Sequence, residues 1–175
     1  MAGDTDFVDH ALAQLDDEMP GLDTIHLRAG ERLLRLAGSL KRRVDAALAP
    51  TGVRSAGFGV LAALRRAGEP YELTPSELSR QTLLTSGAMT NRIDRLEAAG
   101  LARRGDRSAE DRRSVLVRLT PAGKKLVDAA YPLYCAELGR VTAELTDREA
   151  RALERGLKKA SLSLGDVAPD AESSA

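Results

Sequence analysis

Residues 86 to 96 carry polar and apolar side chains on different faces of a helical repeat. The apolar positions, which recur at i, i+4 and i+7, are Met89, Ile93 and Leu96. The polar positions are Ser86, Gly87, Thr90, Asn91 and Arg95. In a major groove Asn can read adenine, Arg can read guanine, and Thr can meet a thymine methyl group or a phosphate. The repeat predicts a helix that contacts DNA, and a solvated polar helix face is the alternative.

Two short strand patterns follow, and an arginine-rich loop connects them. The strands are predicted at Leu101 to Gly105 and at Ser114 to Leu119. We expect DNA contacts from Arg107, Arg112 and Arg113. Arg107 suits a narrow A·T minor groove, which attracts arginine side chains. Asp111 is predicted to orient Arg113 through a charge-assisted hydrogen bond, and a purely structural ion pair between them is the alternative.

Helical patterns surround these two features. Helices are predicted at about residues 5–18, 24–48, 55–66, 75–82, 86–99, 121–145 and 147–164. The fourth begins with a capping box, in which Thr74 caps, Pro75 takes the first position and Glu77 completes the box. Thr74, Ser76 and Thr85, at the starts of the fourth and fifth helices, are also expected to contact DNA. A short helix joined closely to a longer one forms a helix-turn-helix, and the hairpin makes it winged.

On this pattern the fold class is mainly α, with a small β-hairpin as the wing. The expected segments are an additional N-terminal helix at 1–20, a dimerisation helix at 21–52, a winged helix-turn-helix DNA-binding domain at 53–119, C-terminal dimerisation helices at 120–164 and a disordered tail at 165–175. The first, second, sixth and seventh helices carry more apolar surface than a lone winged lobe can bury. That excess favours an intertwined homodimer.

The distribution of charge limits the classes of partner. The net charge of the 175 residues is zero, yet residues 92–118 hold eight basic and five acidic side chains. Residues 1–23 hold seven acids and no Lys or Arg. A local basic surface can bind the phosphates of double-stranded DNA even in a neutral protein. The neutral total and the acidic N-terminus favour the alternative, a winged helix that docks protein rather than DNA.

Several other kinds of site are not expected. We find no nucleophile–base arrangement and no phosphate-cradling glycine loop, so neither an enzyme nor a cofactor is expected. His10 and His26 lack partners at metal-ligand spacing. The single cysteine, Cys135, is expected to be a buried small hydrophobe rather than an oxidant sensor. No apolar run approaches the roughly 20 residues of a membrane span, and the N-terminus lacks a basic secretory signal, so a cytoplasmic protein is expected.

Four motifs resemble the MarR family of winged helix-turn-helix regulators. They are Leu73-Thr74-Pro75-Ser76-Glu77-Leu78, Thr85 to Leu96 with Asp94-Arg95-Leu96-Glu97 at its end, Asp111-Arg112-Arg113 and Leu119-Thr120-Pro121-Ala122-Gly123. The resemblance extends over roughly residues 20–164. It implies a repressor that acts as a homodimer, with interlocking outer helices and two winged lobes that read a pseudo-palindromic operator.

A narrower resemblance is to the urate-responsive branch of that family, the PecS- and TamR-like regulators. It rests on the run from Thr85 to Arg92 and on the additional N-terminal helix. The branch implies a small-molecule site made of a Trp in the first helix, an Asp in the third and two arginines. Arg92 and Arg104 match the arginines, whereas Leu15 stands at the Trp position and Gly59 at the Asp position.

This half-present effector site predicts a weak or absent response to urate. In the branch's scheme an anion on Arg92 repels a nearby carboxylate and moves the recognition helix, but Gly59 offers no carboxylate. Another anion on Arg92, or an aromatic carboxylate in the space left by the Trp and the Asp, stays open as the effector. The alternative is that Arg92 pairs with an acid of the N-terminal helix.

Overall fold

The computed structural model describes residues 5–107 and 115–167, apart from the side chains of Ile25, Asp106 and Arg107. The helices are α1 (Phe7–Glu18), α2 (Ile25–Leu48), α3 (Ser55–Arg66), α4 (Pro75–Thr82), α5 (Ser86–Ala98), α6 (Pro121–Gly139) and α7 (Asp147–Ser163). The strands are β1 (Glu72–Leu73), β2 (Ala102–Arg107) and β3 (Val115–Leu119). The chain divides into two compact units after Glu137, within α6. The mainly helical fold class that the sequence predicts is confirmed.

Helix α3 supplies much of the core of the first unit. Its buried apolar side chains are Phe58, Val60, Leu61, Ala62, Ala63 and Leu64. Helix α5 adds Met89, Ile93 and Leu96, whose exposed fractions of 0%, 1% and 4% confirm the predicted apolar face. Further members are Leu78 of α4, Val117 of β3 and Val127 of α6. The helix-turn-helix is therefore packed around α3 on a single apolar cluster.

The small sheet has three strands rather than the two of the predicted hairpin. Its order is β1-β3-β2, with both pairs antiparallel. Strand β1 pairs Glu72 with Arg118 and Leu73 with Val117. A strand of two residues is too short to show the alternation of apolar and polar side chains by which strands are recognised in a sequence. Strand β1 is therefore visible only through its pairing with β3.

Helix α6 ends at Gly139, six residues before the predicted end at Leu145. After Gly139 the backbone makes tight turns, in which the N–H of Val141 donates to the carbonyl of Leu138 and that of Thr142 to Gly139. Gly139 gives up more conformational freedom in a helix than any other residue, so it favours an end there. Apolar residues continue beyond Gly139 to Leu145, so composition does not mark the end of the helix.

The prediction that Cys135 is buried is wrong, because the structure places it on an exposed face of α6. The neighbouring residues Leu133 and Ala136 are exposed as well. The buried positions of the helix, Gly123, Val127 and Ala130, lie on another face. The apolar residues next to Cys135 in the sequence therefore did not indicate that Cys135 is buried in the single chain.

The carboxylate of Asp45, in α2, caps the first turn of α3. Its Oδ1 accepts a hydrogen bond from the N–H of Ser55 at 2.7 Å, and its Oδ2 pairs with Lys41 at 3.1 Å. Partial burial raises the pKa of Asp45, but the hydrogen bonds from Ser55 and Lys41 outweigh it and lower the pKa to about 2. The charged carboxylate therefore ties α2 to the start of α3.

We expect Asp45→Asn to lower the free energy of unfolding by about 1–2 kcal/mol at neutral pH, because Asn keeps an acceptor for Ser55 but loses the charge. The native pKa lies below the ordinary 3.8, so the stabilisation is complete above about pH 4 and is lost as the pH falls toward 2. Urea unfolding of both proteins across this range measures the difference. A difference that does not shrink below about pH 4 would contradict the ionised cap.

Gly123, in the first turn of α6, lies against the start of β2. A Cβ at this position would overlap the carbonyl oxygen of Leu101 and crowd the side chain of Leu119. The hydroxyl of Thr120 donates to the carbonyl of Gly100 at 2.8 Å and accepts from the N–H of Gly123 at 3.0 Å. Only glycine permits this close approach between α6 and β2.

We predict that Gly123→Ala destabilises the protein by about 2–3 kcal/mol, since backbone must move to admit the methyl group. Gly30→Ala, in α2, is the matched control, because a Cβ there meets nothing within 4 Å. The control should be neutral or stabilising by up to about 1 kcal/mol. Equal effects of the two substitutions in denaturant unfolding would sink the steric explanation.

Candidate nucleic-acid interface

Helix α5 presents every predicted base-reading residue to solvent. The exposed residues of this face are Ser86, Gly87, Thr90, Asn91 and Arg95. Thr85 caps the helix, and its hydroxyl accepts a hydrogen bond from the N–H of Ala88 at 3.4 Å. The N-terminal turn of α5 is thus exposed, with the partial positive charge that favours phosphate. The polar face can contact a ligand without any change in the core.

The start of α4 is more restrained than that of α5. Thr74 donates its hydroxyl hydrogen to Glu77 at 2.7 Å and accepts from the N–H of Glu77 at 3.3 Å, which confirms the predicted capping box. Ser76 is exposed on the first turn. The structure therefore gives Thr74 a capping role, and its contact with DNA stays a prediction, as does that of Ser76.

The turn between α4 and α5 has an exposed apolar residue that the sequence analysis missed. Leu83 has φ 54°, in the left-handed region that favours glycine, and its N–H donates to the carbonyl of Ser79. Its side chain is 80% exposed, whereas Leu84 packs against the core. No local sequence pattern distinguishes two adjacent leucines of which only one is buried.

The wing is described only at its base. Strands β2 and β3 pair from Ala102 opposite Leu119 to Arg107 opposite Val115. Arg107 is the last residue of β2, so the strand continues two residues beyond the predicted end at Gly105 and Arg107 is not in the loop as predicted. Asp111, Arg112 and Arg113 lie outside the described residues, so their roles stay predictions.

Arg104, predicted to bind an anionic effector, is held by two carboxylates of α5. Its guanidinium contacts Asp94 at 2.6 Å and also pairs with Glu97. The hydrogen bond to Asp94 and the charge of Glu97 raise the pKa of Arg104 above its ordinary value, although partial burial opposes them. An effector anion at Arg104 would have to compete with both acids.

The other three predicted effector residues lie in different places. Arg92 lies beside Gly57 of α3, and its Nε is buried without a hydrogen-bond partner among the described residues. Leu15 lines a cleft between α1 and α2 with Phe7 and Arg35. Gly59 lines a separate cavity. The structure therefore does not bring the four residues together.

The expected alternative for Arg92, an ion pair with an acid of α1, is not formed among the described residues. Instead Asp9 pairs with Arg28 at 2.9 Å and with Arg32 at 2.8 Å. Asp6, the cap of α1, also pairs with Arg32. These ion pairs fasten α1 to α2.

The cavity at Gly59 has a volume of about 450 Å³. It is lined by Lys41, Ser55, Ala56, Phe58, Gly59, Ala62, Arg66, Gln81, Thr82, Leu84, Tyr131 and Tyr134. The ring centroid of Phe58 lies 5.2 Å from that of Tyr131 and 4.8 Å from that of Tyr134. The sequence predictions did not include this aromatic cluster of Phe58, Tyr131 and Tyr134, although the chain has only five Phe and Tyr residues and three of them meet here.

Two kinds of feature are absent from the described part of the chain. Within residues 5–107 and 115–167 no group of three or more His, Cys, Asp or Glu side chains could hold a metal ion. No single described helix is long and apolar enough to cross a membrane. The bent pair His26–Thr51 and Ser55–Arg66 meets that length and composition only when both helices are counted together.

Comparison with known proteins agrees with this geometry. A family model described as the MarR family matches residues 51–114. The transcriptional regulator PecS of Dickeya dadantii is 33% identical over 69% of this chain and 72% of its own length. The multiple antibiotic resistance protein MarR of Escherichia coli is 33% identical over 73% of this chain and 88% of its own length. The chain belongs to the MarR family.

Solved MarR-family structures share the fold. A mutant MarR from E. coli complexed with operator DNA has a TM-score of 0.69 at 29% identity, covering 79% of this chain and 97% of that one. BpsR of Bordetella bronchiseptica, whose DNA binding is regulated by 6-hydroxynicotinic acid, has a TM-score of 0.70 at 26% identity, covering 81% and 97%. This MarR-family chain is thus a winged helix-turn-helix transcriptional regulator, and its relatives are regulators rather than enzymes.

Proposed function

We propose that this MarR-family protein is a sequence-specific repressor that binds a pseudo-palindromic operator as a homodimer in the cytoplasm. The observation that carries the proposal is the division of α5 into a buried apolar face and an exposed face with Asn91 and Arg95. Both side chains can read base edges in a major groove. Arg95 pairs with no acid among the described residues, so its charge is available for DNA.

Unburied leucines support the homodimer. On α2, Leu34 is 71% exposed, and Leu33 and Leu36 are 40% and 42% exposed. Helix α7, in the second unit, has no buried residue and leaves Leu157 and Leu162 exposed. Exposed apolar helix faces of this extent are typical of protein interfaces, and a symmetric second copy would cover the same face on both chains.

The protein-docking alternative rests on the neutral net charge and the acidic N-terminus. The acidic N-terminus is a weaker reason than it first was, because Asp6 and Asp9 are already paired with arginines of α2. Those acids are therefore a poor attraction for a basic partner, and the DNA-binding function has the better support.

The first test is binding to palindromes from the DNA upstream of the protein's own gene. We expect tight binding that weakens steeply as salt rises, because counterions are released from the DNA. Arg95→Ala should weaken binding by about 1–3 kcal/mol and relax discrimination at one base pair in a gel-shift series. An equal loss on every sequence would leave Arg95 a phosphate contact only, and no wild-type shift at low salt would overturn the proposal in favour of protein docking.

We further propose that a small aromatic carboxylate fills the cavity at Gly59 and relieves repression. Arg66 has only neutral partners in the described residues, the hydroxyl of Tyr131 at 3.3 Å and the amide oxygen of Gln81 at 3.4 Å. Both contacts are long, so the guanidinium can instead donate hydrogen bonds to a carboxylate. The rings of Phe58, Tyr131 and Tyr134 offer an apolar wall for an aromatic group.

The position of the cavity supports an effect on DNA binding. Gln81 and Thr82 end α4, and Leu84 lies in the turn that leads into α5. A bound molecule would contact this turn directly. Displacement of the turn would move the capped start of α5, which presents the residues expected to contact DNA.

Hydroxylated benzoates should raise the melting temperature of the wild type by about 2–4 °C, because a ligand of the native state stabilises it. Arg66→Gln should abolish most of this shift. Arg65→Gln is the matched control, since Arg65 pairs with Asp128 and does not line the cavity. Urate should give little or no shift, and equal shifts with neutral benzamides would rule out the carboxylate–Arg66 contact.

A further inference from the structure

The wing of this protein is joined to the recognition helix α5 by a short connection. Helix α5 ends at Ala98 and β2 begins at Ala102. Gly100 has φ 68°, in the left-handed region, and the N–H of Leu101 donates to the carbonyl of Leu96 at 2.9 Å. These contacts set where β2 starts. They do not set the direction in which the hairpin continues beyond its first residues.

Arg104 supplies the next attachment between β2 and α5. Its Nη2 contacts Asp94 Oδ1 at 2.6 Å, and its Nη1 pairs with Glu97 Oε2. Its backbone N–H also donates to Glu97 Oε1 at 2.6 Å. Asp94 and Glu97 are three residues apart, so they lie on the same side of α5. One residue of the strand is therefore held by two carboxylates through both its side chain and its backbone.

Arg104 lies directly before an irregular step in the pairing of β2 with β3. Arg104 pairs with Val117, but the next pair joins Arg107 to Val115, so three steps on β2 match two on β3. Such a bulge bends the strand and increases its twist. Arg104 is thus the last residue of β2 that pairs in regular register before the bulge.

A second arginine braces the opposite edge of the sheet. Arg118 of β3 donates from its Nε to Glu72 Oε2 of β1 at 2.7 Å, across a register pair. The base of the wing is therefore held on one side to α5 and on the other to β1.

We propose that Arg104 is a positioning residue for operator binding, which fixes the direction of the wing relative to α5 by holding Asp94 and Glu97. The inference rests on the proposed DNA binding. It differs from the effector role that the family resemblance implies for Arg104. Recognition helix and wing must reach the DNA together, so a loose angle between them weakens binding even when every DNA-contacting side chain is intact.

A competing explanation is that Arg104 itself contacts a phosphate. The two explanations predict opposite signs for Glu97→Gln. That substitution removes a negative charge, so a free Arg104 would attract DNA equally or more strongly. If Glu97 instead helps Arg104 to hold the wing, its loss weakens binding although the protein has become more positive.

The experiment measures operator affinity by fluorescence anisotropy at two salt concentrations, with thermal unfolding of each variant in parallel. We expect Glu97→Gln to weaken operator binding about five- to tenfold. Glu69→Gln is the matched control, because Glu69 is exposed, forms no ion pair with a described residue, and loses the same charge. The control should stay within about twofold of the wild type. Asp94→Asn removes a guanidinium contact alone and serves as a second variant should Glu97→Gln unfold.

A double-mutant cycle completes the test. Arg104→Gln and Glu97→Gln should each weaken binding, and the double variant, whose net charge equals that of the wild type, should be no weaker than Arg104→Gln alone. Equal or tighter binding by Glu97→Gln and Asp94→Asn, with loss only in Arg104→Gln, overturns the positioning role in favour of a direct phosphate contact. Absence of operator binding by the wild type overturns the proposed function itself, so the two failures are distinguishable.

Discussion

Burial of one face of α5 is the interaction that determines which side chains of this helix face the solvent. Met89, Ile93 and Leu96 are almost completely buried in the cluster around α3. Each contributes about 1.5–3 kcal/mol relative to an exposed side chain, so a rotation of α5 about its axis is strongly opposed. With 3.6 residues per turn, the buried face leaves Asn91 and Arg95 outward without further contacts to orient them.

Short polar contacts set where α4 and α5 begin, and a close approach between the backbones of α6 and the residue before β2 sets where α6 packs. The capping box at Thr74 and the cap at Thr85 begin α4 and α5, and the left-handed conformation of Leu83 turns the chain between them. Gly123 lets α6 approach the first residues of β2. The turn between α4 and α5 also lies beside the cavity at Gly59, which Gln81, Thr82 and Leu84 help to line.

Ion pairs determine how much of the acidic charge of this neutral chain is compensated locally. Asp6 and Asp9 are paired within the N-terminal helices, while Asp94 and Glu97 are both held by Arg104. Asp6 and Asp9 are matched by two arginines, whereas Arg104 offsets only one of the two charges of Asp94 and Glu97. Arg95 has no such partner among the described residues. The net charge of zero is therefore a poor guide to the charge on the exposed face of α5.

The sequence by itself determined where the helices lie apart from the end of α6, the capping box at Thr74 and the face of α5 that lies in the core, because helical periodicity and capping act between residues three or four apart. Only the tertiary structure decided the existence of β1, which depends on its pairing with β3. It also decided that Arg104 contacts Asp94 and Glu97, and that aromatic rings of α3 and α6 meet beside Arg66. Such contacts join residues distant in the chain, and no local pattern records which distant side chain will be the partner.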